Sequence, residues 1–410
     1  MHSLEASTMA PRAVPQSSAK APFLHVVFLV LLMFPFTQII ELPTYNQPYA
    51  FLAAGFIVLI KPSLISNLPQ TDRLMLGFLA LLGCILFLFG VLDGLKFREL
   101  SFLLSYLTPF VTTVAGFWAV SRHPASTRRI LVGAIIAWTG LGVIQTVWDP
   151  NFLTFLAAHT DNLGENIVLS GRGALGFAPE PTHFGFHMVM LAAMLHLLRG
   201  PIWVVALALL TSLLIAKSSS VLLALAVGLI LWAAVKPIRR AWIFAGILMP
   251  VFFSGLVPLI FDDSYRITQI ILRVYYNGFD IFLLDYSVNA RLSGMFAPLY
   301  LFVDRAFMPL GMSIDSWLEA RLYMLGQFPW MIDLSGSGPA SGFGLILLQG
   351  GLFAVPASIY FIRRFIFDLG AHLSGLFTAV SFFIFMGQYL LATPTFGLLL
   401  AIIIYRKAET

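Results

Sequence analysis

Apolar residues run along this chain in long blocks, and polar residues collect in the short stretches between them. Against the roughly 20 apolar residues that a helix needs to cross a bilayer, the blocks predict spans over 22–40, 49–65, 74–92, 101–120, 130–148, 182–198, 201–216, 219–235, 241–260, 342–361, 372–389 and 391–405. The expected fold is an all-α polytopic membrane protein with about twelve transmembrane helices. Two segments break the rhythm, because 149–181 and 261–341 are far longer than ordinary connections. In the second, Ile267, Ile270, Ile271 and Val274 recur at helical spacing opposite Arg266, Gln269 and Arg273. Trp317, Leu318, Leu322 and Leu325 likewise share a face that excludes Glu319 and Arg321. Both stretches read as amphipathic helices lying on a membrane surface. The chain then divides into a tail at 1–20, five helices in 21–148, a loop at 149–181, four helices in 182–260, a large loop at 261–341, and three helices with the C-terminus in 342–410.

Composition agrees with this pattern. The chain is 59% hydrophobic and 10% charged, where soluble domains carry about 25% charged residues. Its one cysteine, Cys84, falls inside the third block, so no intrachain disulfide can form. Lysine and arginine gather in alternate short connections, at Lys61, Arg73, Arg122, Arg128, Arg129, Arg199, Lys236, Arg239, Arg240, Arg363, Arg364, Arg406 and Lys407. By the positive-inside rule those connections and both termini are cytoplasmic, and the two long loops face outward. The net charge of +5 is then a basic cytoplasmic face suited to anionic lipid, with no support for a nucleic-acid partner. No Asp, Glu or Arg falls inside a span, which disfavours ion-coupled transport and directs attention to the outer helix ends.

One stretch there is unusually polar. "GRGALGFAPEPTHFGFHMV", Gly171 to Val189, places Arg172 among glycines and then starts a helix at Pro181, which makes Glu180 the residue at the N-cap. Glu180, His183 and His187 stand at i, i+3 and i+7 and share a face. As a structural feature they are a helix cap with two histidines bonded to nearby backbone. As a functional one they bring a carboxylate, an imidazole and a guanidinium together at the membrane surface, beside glycines that admit close backbone approach. The three side chains lack a metal-ligand spacing signature, and no metal or cofactor is expected. In the large loop, "NARLSG" holds Asn289 and Arg291, and Arg266, Arg273, Arg305 and Arg321 are scattered around it. Arginine's donor fork matches phosphate oxygens. Pairing with nearby acids or snorkelling accounts for most of these arginines. Arg291, whose glycine-flanked context echoes "GRGALG", is the exception. "SGSGPASGFG", Ser335 to Gly344, ends the loop at a helix N-terminus, which is suited to an anion and equally to a flexible entry.

Taken together, these residues resemble the bacterial integral-membrane glycan polymerases and ligases, the Wzy-type O-antigen and exopolysaccharide polymerases with their O-antigen ligase relatives. The resemblance is carried by the architecture, by "GRGALGFAPEPTHFG" and more loosely by "NARLSG". It implies multi-pass residence in the plasma membrane, a donor carried on undecaprenyl pyrophosphate, and polymerisation of lipid-linked repeat units on the outer side. It further implies Arg172 and Arg291 as pyrophosphate-binding residues, Glu180 with His183 as the catalytic pair, and membrane lipids, a flippase and chain-length regulators as partners. In the ligases "HN" precedes the corresponding apolar helix, whereas Pro339 and Ala340 stand at that place here. No histidine occurs between His196 and His372, which favours polymerase over ligase. A lipid-linked glycan flippase is the third class, and it would place basic residues along a cavity within the spans.

Overall fold

A computed structural model of the chain describes residues 22–40, 42, 46–92, 94, 97–157, 167, 173–235, 272, 276, 286–331, 341–369, 373–387 and 391–409. Among the described residues all regular structure is helical, and the sole extended pairing is a bridge between Thr37 and Ala157. In chain order the helices are α1 (Phe23–Met33), α2 (Tyr49–Ile60), α3 (Gln70–Leu92), α4 (Phe97–Arg122), α5 (Pro124–Val147), α6 (Pro181–Leu197), α7 (Ile202–Leu210), α8 (Ser219–Val235), α9 (Tyr286–Asp304), α10 (Ile314–Gln327), α11 (Gly342–Gly350), α12 (Val355–Ile362), α13 (Leu373–Gly387) and α14 (Pro394–Glu409). Four helical stretches, Gln70–Leu92, Glu99–Arg122, Pro124–Val147 and Gly342–Phe367, are long and apolar enough to cross a membrane, and several shorter apolar helices accompany them.

The outer helices are apolar on both sides. On α3, Leu76, Leu79, Leu82 and Leu86 are buried, while Leu74, Leu81, Ile85, Leu88 and Leu92 are exposed. A helix that is hydrophobic all round belongs in a core or in lipid. The central helices are enclosed: every residue of α11 is buried, as are Pro394–Ile404 of α14 and all of α6 except His183 and His196.

Three sequence expectations change. The first span is only half helical, because α1 stops at Met33 and Phe34 leaves helical geometry with φ −126° and ψ 59°. Pro35 is the cause, since a proline excludes the preceding residue from the α region. Past the stop, the Gln47 amide, just before α2, donates to the Pro35 carbonyl at 2.7 Å. Second, "NARLSG" is not a glycine-lined loop, as it lies within α9. Third, the helices outrun the drawn spans and take in Asp72, Glu99 and Arg364.

Those charges survive because they are paired. Arg364 meets Asp72 at 2.6 Å and also bonds Asp368; Asp368 receives Lys407; and the Tyr360 hydroxyl donates to Asp72 at 2.7 Å. The cluster ties the start of α3 to the end of the α11–α12 span and to the end of α14. Glu99 is buried as well, and its carboxylate accepts from the Ile314 amide at 3.2 Å, the first amide of α10. That places a negative charge at the positive end of a helix dipole.

α10 confirms a helix over "SWLEARLYMLGQF", but its packing differs from the simple stripe. Ile314, Trp317, Ala320 and Met324 are buried, while Leu318 and Leu322 are exposed. Trp317, Ala320 and Met324 form a second, smaller core with Ala297, Leu301, Met331 and Leu348, while Ile314 joins the main one. The matching helix expected around Ile267 to Val274 lies outside the described residues.

Removing one partner from a buried ion pair strands the other, at a cost of about 3–5 kcal/mol. Arg364→Leu leaves the buried Asp72 with only the Tyr360 hydroxyl, while Asp368 keeps Lys407, so it should lower the thermal midpoint of the detergent-solubilised protein sharply. Arg363→Leu, at a side chain 66% exposed, should leave that midpoint nearly unchanged.

Candidate functional site

α6 starts at Pro181, with Glu180 at the N-cap in extended geometry (φ −144°, ψ 152°). The cap is made by the backbone, since the Glu180 carbonyl accepts from the Phe184 amide at 3.1 Å and the side chain makes no capping bond. The carboxylate therefore has no capping task. One residue into the helix, the buried Thr182 hydroxyl accepts from Arg291 Nη2 at 3.1 Å. His183, on the next position, interacts with both the Glu180 carboxylate and the Arg291 guanidinium. Glu180, His183 and Arg291 are thus brought together although 111 residues separate the glutamate from the arginine.

The two faces of α9 explain why Arg291 points here. Arg291, Met295 and Pro298 look toward the bundle, where Met295 lies against Gly387 and Pro298 against Gly344. Asn289, Ser293, Phe296 and Tyr300 occupy the opposite face at i, i+4, i+7 and i+11. There Asn289 Nδ2 donates to the Trp330 carbonyl at 2.7 Å, Ser293 donates to Asn289 Oδ1 at 3.2 Å, and Phe296 and Tyr300 pack on Phe328 and Trp330. Asn289 thus holds the Trp330 turn.

His187 also has a structural task. α1 ends at Met33, so the Met33 carbonyl has lost its helical donor. His187 Nε2 meets that carbonyl at 2.9 Å and Trp138 Nε1 donates to it at 3.0 Å. The shared face read from the sequence is real, since the rings of His183 and His187 both touch Phe36, at 5.7 and 5.8 Å between centroids. Along that face the two histidines divide, one toward Arg291 and one toward the end of α1.

The approach to α6 is pinned by its glycines. Gly173 passes so close to the turn after α7 that a Cβ there would sit 2.2 Å from the Ala216 carbonyl carbon, and the Ala174 amide donates to the Ile215 carbonyl at 3.0 Å. Gly176 has φ +60°, and its peptide is held from both sides by the Gln145 amide at 2.7 and 3.1 Å. Arg172, next to Gly173, lies outside the described residues, as do Arg266, Arg273 and the stretch 335–340. Ser341, where the described chain resumes, caps α11 through its own hydroxyl, which accepts from the Gly344 amide at 2.8 Å. Arg305 is exposed beyond the end of α9, about 20 Å of helix from Arg291. Arg321 is half-buried on α10, and its Nε has no hydrogen-bond partner among the described residues.

Two residues were missed in the sequence. Thr182 gave no signal beyond its place behind Pro181. Lys217 did: it interrupts two apolar blocks and precedes three serines. It sits with φ +46° in the turn between α7 and α8, beside the Ala216 backbone that Gly173 contacts. Ser218, next along, lies against Gly185 of α6. The chemistry available at this end of α6 is thus one carboxylate, one imidazole and a guanidinium, set at a helix start whose dipole is positive.

Without His187 the Met33 carbonyl keeps only Trp138, and the lost hydrogen bond costs about 0.5–1.5 kcal/mol. His187→Leu should lower the thermal midpoint, and His183→Leu, which leaves the Met33 carbonyl served, should not. Equal losses would mean that the two histidines share one role.

Neither a protein-family model nor a curated protein matches the chain.

Proposed function

We propose that this protein joins polyprenyl-pyrophosphate-linked oligosaccharide repeat units into O-antigen or exopolysaccharide at the outer face of the plasma membrane. In this reading the chain crosses about twelve times with both termini cytoplasmic, and the Glu180 end of the bundle faces outward. The observation that carries it is Arg291, whose Nη2 donates to the Thr182 hydroxyl at the first turn of α6 and whose charge acts on His183 together with that of Glu180. A cation at a helix N-terminus is disfavoured by about 0.3–1 kcal/mol. A built arrangement that nevertheless puts one there suits an anionic ligand, and the fork suits a phosphate oxygen.

The transfer breaks the bond between the donor's anomeric carbon and the pyrophosphate oxygen. The departing polyprenyl pyrophosphate keeps the electron pair, and a hydroxyl oxygen of the acceptor repeat forms the new glycosidic bond. Charge grows on phosphate oxygens as the bond breaks, and fixed donors aimed at that charge accelerate the step. Arg291 serves this role, and Arg172 is proposed as the second pyrophosphate-binding arginine. The acceptor's proton goes to Glu180, whose side chain is not used to cap α6. His183, between carboxylate and guanidinium, orients the pair. The exposed apolar flanks of the bundle suit prenyl chains in the bilayer.

A flippase would carry its charges along a central path. The buried charges within these helices instead pair with one another, Asp72 with Arg364 and Glu99 with the start of α10. That arrangement supports the polymerase over the transporter. A ligase shares the donor chemistry and differs in its acceptor.

The purified protein should extend synthetic prenyl-pyrophosphate repeat units in excess chelator with no sugar nucleotide present. Arg291→Lys keeps the charge but loses the fork and should slow extension at least 10-fold, and Glu180→Gln should slow it by about 10²–10⁴-fold. Failure of the wild-type protein to extend these units sinks the reading. Transfer onto lipid A core alone would make the protein a ligase, and full activity of Glu180→Gln would remove the general base while leaving the reaction.

A further inference from the structure

Beside Arg291 and Glu180 the α6 end of the bundle carries a second polar group, whose described side chains are uncharged. Its parts come from residues 46–47, just before α2, and from the start of α14. The two segments are joined where the Thr393 hydroxyl donates to Asn46 Oδ1 at 3.2 Å. Gln47 follows, 2% exposed, with its amide donating to the Pro35 carbonyl at 2.7 Å. Phe36, next to Pro35, puts its ring on His183, so the Gln47–Pro35 bond joins this group to the edge of the charged one. Thr395, the second residue of α14, is fully buried, and its hydroxyl has no hydrogen-bond partner among the described residues.

The two groups lie at one depth. At the far end of the bundle His196 of α6 feels the charge of Arg406 of α14, and α6 packs directly along α14. Thr182 is fourteen residues before His196 and Thr395 eleven before Arg406. At 1.5 Å per residue the two threonines differ in height by about 5 Å.

Neither feature has a packing reason. A hydroxyl buried without a partner costs about 1–3 kcal/mol, and valine would fill the same volume at position 395. Irregular backbone inside a membrane protein is tolerated where it is enclosed or lines a cavity, and here it presents amide and hydroxyl side chains. We propose that Thr395, Thr393, Asn46 and Gln47 form the subsite that receives the sugar hydroxyls of the acceptor repeat, across His183 from the pyrophosphate of the donor. Neutral amides and hydroxyls recognise a carbohydrate without attracting the anionic leaving group. The two substrates are alike in chemistry, so a charge difference between the two sides is what assigns one to each. The proposal rests on the polymerase reading for its name of acceptor, and on the uncharged cluster alone for its sugar.

The test is titration of lipid-free repeat oligosaccharide, released by mild acid from the carrier in the producing cell, into the full-length protein in nanodiscs. Thr395→Val should weaken binding about tenfold, the size of one hydrogen bond to a buried group, while Thr395→Ser, which restores the hydroxyl, should bind within about twofold of the wild type. Asn46→Ala should weaken binding independently. Unchanged affinity in Thr395→Val, or no binding by the wild type, overturns the subsite. A wild-type protein that binds the oligosaccharide through Thr395 but never extends lipid-linked repeats keeps the sugar subsite and overturns the polymerase.

Discussion

A helix enclosed on every side can present its first amides only toward the end from which it starts, and α6 is such a helix. Everything at the Glu180 end follows from where that start lies. Pro181 fixes it, because proline fits the first turn and cannot continue a helix from further upstream. The Glu180 carbonyl closes the first turn, which leaves the carboxylate without a capping role. The positive end of the helix then needs an explanation for the arginine beside it, and Arg291 is held there by a hydrogen bond to Thr182.

The supports of this helix start are themselves ordinary physical chemistry. α1 stops early at Pro35, and His187 and Trp138 take up the Met33 carbonyl that this stop exposes. The turn so created carries Phe36 to His183. On the other flank Gly173 permits contact with the Ala216 backbone, and that contact brings the Lys217 turn alongside. At the far end of the bundle, charges are gathered for the opposite purpose. Asp72, Arg364, Asp368 and Lys407 neutralise one another and lock three helical segments together. One end therefore satisfies its charges internally, and the other sets an arginine at a helix start.

How much of this could be read from the sequence differs residue by residue. The start of α6 was legible, because Glu180-Pro181 before an apolar run is a local signal that packing does not alter. The helix at 314–327 was legible for the same reason. The early end of α1 was signalled by Pro35, but the long apolar block around it suggested a full span. Other features depend on contacts far apart in sequence. Nothing near His187 says that its partner is a carbonyl 154 residues away. Asn289 and Arg291 are two residues apart and looked like one motif, yet on a helix that spacing turns them to opposite faces. Asp72 and Arg364 read as connection residues by their charge, but the helices extend to include them, each supplying the other's partner.

Modification of arginine by phenylglyoxal, read residue by residue by mass spectrometry, tests most directly whether the start of α6 holds a pyrophosphate. Arg291 of the purified protein should react when the site is empty and be protected by inorganic pyrophosphate at concentrations that leave exposed Arg363 and Arg305 fully reactive. Equal modification of Arg291 with and without pyrophosphate would contradict the account, and would reduce its bond to Thr182 to a tie between two helices.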